Sequence, residues 1–359
     1  MNRLAALLLL VSATSVIGCD RGSDEQPTPA TERYPQAAAQ DVDAQALDRA
    51  RTLIAGNPYV RCLLVERNGV LVMEEYFNGS DENVFFDVRS ITKSVMSALV
   101  GIAIERGAIR SLDQTVGEIL DPVVPELEPK KRAISLRHLL TMTSGLPWRE
   151  LNSVEQDYSA WVSSPDPLRW ILDRPLDHEP GSFWHYNTGA SHITSAILTE
   201  ATGQSARAFA QDQLFGPLDS VVGNWPADPR GYNYGGHGIS LQARTLVRFG
   251  RLFLDGGTFH GRQVVPASWV REATATHWST NNAMPWGSGY GYFFWTDHDA
   301  RTGLDYYFAT GYGGQFVVNV PAANATIVAT TAWSGVPNAG ANWSLVMGTI
   351  VQTVLPGLR

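Results

Sequence analysis

Segments that read as strands stand at the two ends of the folded sequence, with none between them. Arg61–Glu66 and Val70–Phe77 flank Arg67-Asn68-Gly69, where an Asn-Gly pair between two apolar runs signals a tight hairpin turn. Far along the chain, Tyr290–Trp295, Asp305–Ala309, Gln315–Val320 and Thr326–Ala332 are short, β-branched or aromatic, and separated by turn residues. An isolated hairpin is marginal in water, so the two groups are expected to share one sheet. Neighbouring hairpins make that sheet antiparallel. The expected class is therefore α+β: an antiparallel sheet built from both chain ends, flanked by helices, with a helical domain inserted.

The inserted part supports this. From Ser111 to about Arg230 the pattern is mostly helical, with Pro-rich loops. Ser135 reads as an N-cap before Leu136–Thr143, with Gly145 closing that helix. Ala190–Ala201 stops at Gly203, Leu241–Leu254 stops at Asp255-Gly256-Gly257, and a last helix covers about Trp343–Val354. Before the insertion, Val95-Met96, Ala98-Leu99-Val100 and Ile102-Ala103-Ile104 are apolar nearly all round, which places their helix in the interior. Strand–helix alternation and Gly-x-Gly-x-x-Gly are both absent, which argues against a nucleotide-binding fold. The expected boundaries are 43–105 with 236–359 for the sheet domain and 106–235 for the helical domain.

Residues 1–42 are of another kind. The apolar run Leu4–Ile17 follows Arg3, is too short to span a bilayer, and ends in Val16-Ile17-Gly18-Cys19. A short positive region, an apolar stretch and small residues describe an export signal, here 1–18. The ending resembles a bacterial lipoprotein signal, in which Cys19 would carry the lipid; a plain secretory signal cleaved nearby is the alternative. Residues 19–42 are polar and Pro-containing, and read as a flexible tether. The expected protein is exported and anchored to a membrane through its N-terminal lipid alone, facing the periplasm or the cell exterior. With Cys19 lipidated, Cys62 has no partner and the fold relies on burial. The formal net charge of −8 and the lack of a basic run exclude nucleic acid as the expected partner.

Chemistry concentrates at Ser90-Ile91-Thr92-Lys93, at the head of the apolar helix. Three residues apart, the serine and lysine side chains share one helix face. The free N–H groups at the helix start can stabilise an oxyanion. A lysine one turn inside an apolar helix has its pKa lowered by desolvation and can take the serine proton. Of 27 basic residues only three are lysines, Lys93, Lys130 and Lys131; elsewhere the chain uses arginine, which cannot act as a base. Tyr186, in Trp184-His185-Tyr186-Asn187-Thr188, could hydrogen-bond that serine and carry a lowered pKa beside a cationic lysine, although a lone loop tyrosine more simply packs. In Ala309-Thr310-Gly311-Tyr312-Gly313-Gly314, glycines permit close backbone approach, and an N–H there could form half of an oxyanion hole; a bulge or turn is the plainer reading. No histidine pairs with carboxylates or cysteine at metal-ligand spacing, so neither metal nor cofactor is expected. The missing Gly-x-Ser-x-Gly disfavours an α/β-hydrolase.

In this order and spacing, the three segments resemble the serine β-lactamase and penicillin-recognising superfamily, with its Ser-x-x-Lys, Tyr and Lys-Thr-Gly-type motifs. Phe86-Asp87-Val88-Arg89-Ser90-Ile91-Thr92-Lys93-Ser94, Leu136–Leu146 and Gly235-Gly236-His237-Gly238 look like the esterase and amidase branch that includes 6-aminohexanoate-dimer hydrolases. The resemblance, from about residue 60 to 335, implies an acylated Ser90, proton transfer shared by Lys93 and Tyr186, and an oxyanion hole of the Ser90 and Tyr312 N–H groups. It also places His237 at the rim of the cleft as a substrate contact, with a loop histidine satisfied by backbone as the alternative. Trp148 then reads as lining the cleft or as core packing, and Thr188 stands where the family has the amide that contacts substrate or lysine, here displaced by one residue to Asn187. Ala309 replaces the lysine that would engage a substrate carboxylate, which favours a small neutral ester or amide over β-lactams and D-amino-acid peptides. A protonated His237 could partly replace that cation. A sensor module that acylates without turnover is the remaining alternative.

Overall fold

A computed structural model describes residues 28–150 and 157–358. The run Leu4–Ile17 and Cys19 lie outside the described residues. Among those described, no helix is long and apolar enough to cross a membrane.

The segment expected as a tether is corrected where it is described. Helix α1 (Ala30–Arg33) and the turn after it pack on the domain: Tyr34 is buried, its hydroxyl donating to Glu75 at 3.0 Å, and Ala37 is fully buried. Val42 bridges Leu358. Polar composition hid this, because three apolar side chains, Tyr34, Ala37 and Val42, suffice to dock the strap. Helix α2 (Ala44–Ala55) follows, capped by the Asp43 carboxylate on the Gln45 N–H.

Strands β1 (Val60–Arg67) and β2 (Val70–Tyr76) form the hairpin, with Asn68 at φ 52° and Gly69 at φ 81°, as a turn between right-twisted strands requires. A short pair, β3 (Phe86–Asp87) with β4 (Ser240–Leu241), brings the start of α3 (Ile91–Glu105) beside the chain that returns from the helical region. Every residue of α3 from Ile91 to Ala103 is buried.

The insertion carries α4 (Val116–Leu120), α5 (Pro129–Arg132), α6 (Leu136–Leu140), α7 (Tyr158–Val162), α8 (Pro167–Leu172), α9 (Thr188–Thr202) and α10 (Ala206–Ala210). Most are one to two turns long. Helix α6 is shorter than expected, its capping box between Ser135 and His138 holding only five residues. Helix α9 is the hub on which α3, α4, α6 and α8 pack. Asn187 caps its start and Gly203, at φ 69°, ends it.

After α11 (Ala243–Leu254), the minor hairpin β5 (Thr258–Phe259) and β6 (Arg262–Gln263), and α12 (Ala267–Ala273), the chain enters the sheet for good. Strands β7 (Trp278–Ser279), β8 (Gly289–Tyr290), β9 (Trp295–Asp299), β10 (Leu304–Gly311), β11 (Gln315–Val320) and β12 (Ala325–Thr331) complete it. The order β2-β1-β12-β11-β10-β9-β8-β7 is antiparallel throughout, so both chain ends build one sheet as expected. The single strand expected over Tyr290–Trp295 is instead a hairpin. Phe293 at φ 60° and the Gly291 N–H bond to Phe294 O turn the chain there.

Side chains alternate between two helical layers. Val317, Asn319 and Thr326 abut Gly250 of α11, whereas Thr310 and Phe316 meet Trp343 of α13 (Ala339–Thr349). Cys62, a free thiol, is buried in β1 within 3.0 Å of the Thr330 hydroxyl.

Candidate active site

Ser90 occupies the N-cap of α3, yet its hydroxyl makes no capping bond. It receives Lys93 Nζ instead, at 2.9 Å. The same Nζ donates to Gly236 O at 2.8 Å and lies 4.9 Å from the centre of the Tyr186 ring. Lys93 is 1% exposed, and this burial, assisted by Arg89 and opposed by Glu150, pushes its pKa down to about 7. A substantial share of the lysine is then neutral at physiological pH and able to accept a proton.

Tyr186 sets its ring against Lys93 Nζ, and the Ser90 side chain acts on its phenol. Its ring stacks on Trp295 at 5.6 Å and leaves 7% of the residue exposed. The expected lowering of its pKa is corrected: burial, with Glu150, pushes the phenol up despite the opposing influence of Ser90. Tyr186 therefore stays a neutral donor and acceptor beside the nucleophile.

The end of β10 closes the site from the sheet side. A Cβ on Gly311 would come within 2.4 Å of Val88 O and 2.9 Å of Arg89 Cβ, so only glycine lets this strand approach the nucleophile's segment. Tyr312 follows directly, 58% exposed. Among the described residues, the N–H groups of Ser90 and Tyr312 have no protein acceptor. Ala309 shares the alternate side of β10 with Gly311 and is buried. The Thr310 hydroxyl points to the other layer, donating to Gln315 O at 3.0 Å and accepting from Trp343 Nε1 at 2.7 Å.

Three expected substrate contacts are buried. Trp148 is 2% exposed, set edge-on against Trp161 and Trp170 and donating to Glu150; it is a core residue. Thr188 is 1% exposed, in the first turn of α9, with its methyl group against Gly236. The Asn187 amide, displaced by one residue from the expected place, is consumed by the Leu146 carbonyl and the Ala190 N–H. His237 is 6% exposed, stacks on Tyr234 at 4.7 Å and contacts the Tyr158 hydroxyl at 3.3 Å. Burial, together with the charges of Arg89 and Lys93, holds its pKa well below 6.5, so it does not supply the cation missing at Ala309.

Sequence reasoning missed Arg89, Tyr158 and the Gly236 carbonyl. Arg89 adopts φ 51° immediately before the nucleophile, a strained backbone for a non-glycine residue. Its guanidinium stacks 4.3 Å from the Trp333 ring and bonds the Tyr158 hydroxyl at 3.1 Å, joining the sheet end to α7. Neither residue has a local sequence signature; only the adjacent glycines 235 and 236 hint that backbone matters there. Among the described residues, no cluster of three or more His, Cys, Asp or Glu side chains forms a metal site.

Comparison with known proteins gives the same picture. The chain is 26% identical over 294 residues to the 6-aminohexanoate-dimer hydrolase of Paenarthrobacter ureafaciens, covering 75% of this chain and 72% of that protein. It is 27% identical over 147 residues to the acyltransferase mokF of Monascus pilosus, a match spanning only 35% of that protein. The solved structure of EstCE1, a hydrolase with promiscuous acyltransferase activity, shares the fold at a TM-score of 0.69 with 18% identity, over 88% of this chain and all of that one. The Beta-lactamase family itself matches residues 62–347, from the first sheet strand to the last long helix, and so takes in Ser90, Lys93, Tyr186 and Tyr312 together. Match and geometry agree: the chain belongs to the Beta-lactamase family.

Proposed function

We propose that this protein is a serine hydrolase that cleaves small neutral esters or amides through an acyl-enzyme on Ser90. The observation that carries this is the 2.9 Å contact between Ser90 Oγ and a buried Lys93 whose pKa lies at about 7. Neutral Lys93 takes the hydroxyl proton as Ser90 Oγ attacks the carbonyl carbon. The oxyanion is held by the N–H groups of Ser90 and Tyr312. Collapse breaks the bond to the leaving group, which takes the proton from Lys93, relayed by the Tyr186 hydroxyl. Water then repeats the sequence on the acyl-enzyme, releasing the acid and restoring Ser90. The names of the relatives support ester or amide chemistry, and Ala309 supports a neutral substrate. Export and lipid attachment at Cys19 belong to the same reading and rest on the sequence of residues 1–19.

The test is labelling by a fluorophosphonate probe and intact mass with p-nitrophenyl butyrate. Wild type is expected to label and to show an acyl adduct that decays, whereas Ser90→Ala does neither. Equal labelling of Ser90→Ala overturns the nucleophile, and an adduct that never decays replaces the hydrolase with a stalled sensor.

A further inference from the structure

His192 and Asp228 form a fully buried pair that the proposed chemistry leaves unused: Nε2 lies 3.0 Å from Asp228 Oδ2, and neither side chain has any exposure. Burial alone would push the Asp228 carboxyl up. The bond from His192 and the N–H groups of Tyr232 and Arg230, each 2.9 Å from Oδ1, outweigh it and keep the carboxylate ionised. An ionised carboxylate accepts, so the proton of His192 sits on Nε2 and Nδ1 is the acceptor. That acceptor receives the Gly235 N–H at 3.4 Å. One residue on, Gly236 O accepts Lys93 Nζ.

The same two residues are pressed onto α9. A Cβ on Gly235 would fall 2.3 Å from Ser191 O, and one on Gly236 would fall 2.6 Å from both Ser191 Oγ and Thr188 Cγ2. This backbone therefore lies flat on the first turns of α9, with its direction set by His192 at one end. The aromatic side chains of Trp161 and Tyr234 enclose the imidazole and keep water from competing for Nδ1.

We propose that His192 and Asp228 are positioning residues for the base: by holding the Gly235 N–H, they fix the course of the backbone through Gly235 and Gly236 and aim the Gly236 carbonyl at Lys93. A neutral amine that donates one N–H to a fixed carbonyl is held so that its lone pair can turn to its other neighbour, the Ser90 hydroxyl, and accept the proton. The dyad is thus a determinant of acylation rate that touches neither substrate nor nucleophile. This inference rests on the reading of Lys93 as the base of Ser90.

Asp228→Asn keeps the shape of the carboxylate but offers an N–H to Nε2, which moves the histidine proton to Nδ1, facing the Gly235 N–H. His192→Phe removes both contacts. His192→Asn restores an acceptor near the Nδ1 position. Asp228→Asn and His192→Phe are expected to slow fluorophosphonate labelling of Ser90 and kcat for p-nitrophenyl butyrate by roughly 10- to 100-fold, the effect of about 1 Å of misplacement. KM stays within about twofold, because substrate contacts are untouched. His192→Asn recovers to within about fivefold of wild type.

Unchanged labelling in folded Asp228→Asn and His192→Phe overturns the proposal. So does a parallel loss of kcat and melting midpoint that His192→Asn fails to rescue, since a purely structural pair would behave that way. If His192→Phe does not fold, the Asp228→Asn variant decides alone; if neither folds at assay temperature, the pair is a fold determinant and the positioning role is rejected. Labelling that survives Ser90→Ala would remove the underlying reading of the nucleophile, whereas labelling that needs Ser90 but ignores Asp228 and His192 overturns this inference only.

Discussion

Lys93 Nζ lies 2.9 Å from Ser90 Oγ, one helical turn further into a helix whose surface is buried on every side. The position is costly for a cation and useful for a base. Burial holds the pKa at about 7, so kcat/KM for a neutral ester is expected to rise with pH through about 7 and then level. Lys93→Arg keeps the charge but cannot release the proton, and is expected to lower turnover by roughly 10²-fold or more. A Lys93→Arg variant with near-wild-type turnover would make the lysine an electrostatic partner and leave Tyr186 as the base.

The same lysine leaves a mark on stability. Its folded pKa of about 7 lies below the ordinary lysine value of 10.5, so between these values the unfolded chain binds a proton that the native protein does not. Stability from this group therefore rises as pH increases from 7 toward 10, and the penalty is fully present below 7. Lys93→Met abolishes the dependence. Melting midpoints of wild type and Lys93→Met, measured from pH 6 to 10, are expected to shift in favour of wild type as pH rises; parallel curves would refute the burial of a titrating lysine.

Tyr186 tests the proton relay without disturbing the packing. Its ring rests on Trp295, and Tyr186→Phe preserves that stack while removing the hydroxyl beside Ser90. A fall in kcat of roughly 10- to 100-fold is expected, typical of losing one proton-transfer group, with the melting midpoint little changed. Because burial raises the phenol's pKa, no loss of activity between pH 8 and 9.5 is expected from tyrosine ionisation. An alkaline limb present in wild type and absent in Tyr186→Phe would contradict that direction.

The elements of this fold that were legible in sequence are those with a local signal. Asn68-Gly69 announced its hairpin, Gly203 its helix end, and the unbroken apolar pattern after Val95 a helix with no wet face. Ser90 and Lys93 were legible because a three-residue spacing on a helix is itself a geometry. The environment of each side chain was not. A lysine nearby suggested a lowered pKa for Tyr186, but burial of the whole phenol outweighs one neighbouring charge. His237 and Trp148 were read as cleft residues from the family resemblance, whereas both belong to the aromatic cluster around Trp161, assembled from segments up to about 90 residues apart. The carbonyl of Gly236 and the hydroxyl of Tyr158 are positioned by tertiary packing alone, and no spacing along the chain encodes them.

Substrate charge is the sharpest remaining test. A carboxylate entering a low-dielectric cleft must find a cation or several donors, and a charge-assisted hydrogen bond to it is worth roughly 1.5–3 kcal/mol, or about one to two powers of ten in binding. The groups that could supply one are committed elsewhere. Ala309 offers no charge, the Thr310 hydroxyl is held by Gln315 O and Trp343 in the opposite layer, and His237 stays neutral because burial depresses its pKa well below 6.5. Arg89 carries a charge beside Ser90, but Asp87 pairs with it at 3.4 Å and Trp333 covers its face. p-Nitrophenyl butyrate and the hemisuccinate ester differ chiefly in a terminal carboxylate. The butyrate is expected to have the higher kcat/KM by at least about tenfold, and cephalosporins, which carry an obligatory carboxylate, are expected to turn over poorly. Neither anionic substrate is expected to improve as pH falls from 7.5 to 6, since burial holds His237 well below the usual histidine range and Lys93 loses its basic form. Equal rates for the two esters, or efficient cephalosporin hydrolysis by wild type, would show that the cleft supplies a cation that Ala309, Thr310 and His237 do not.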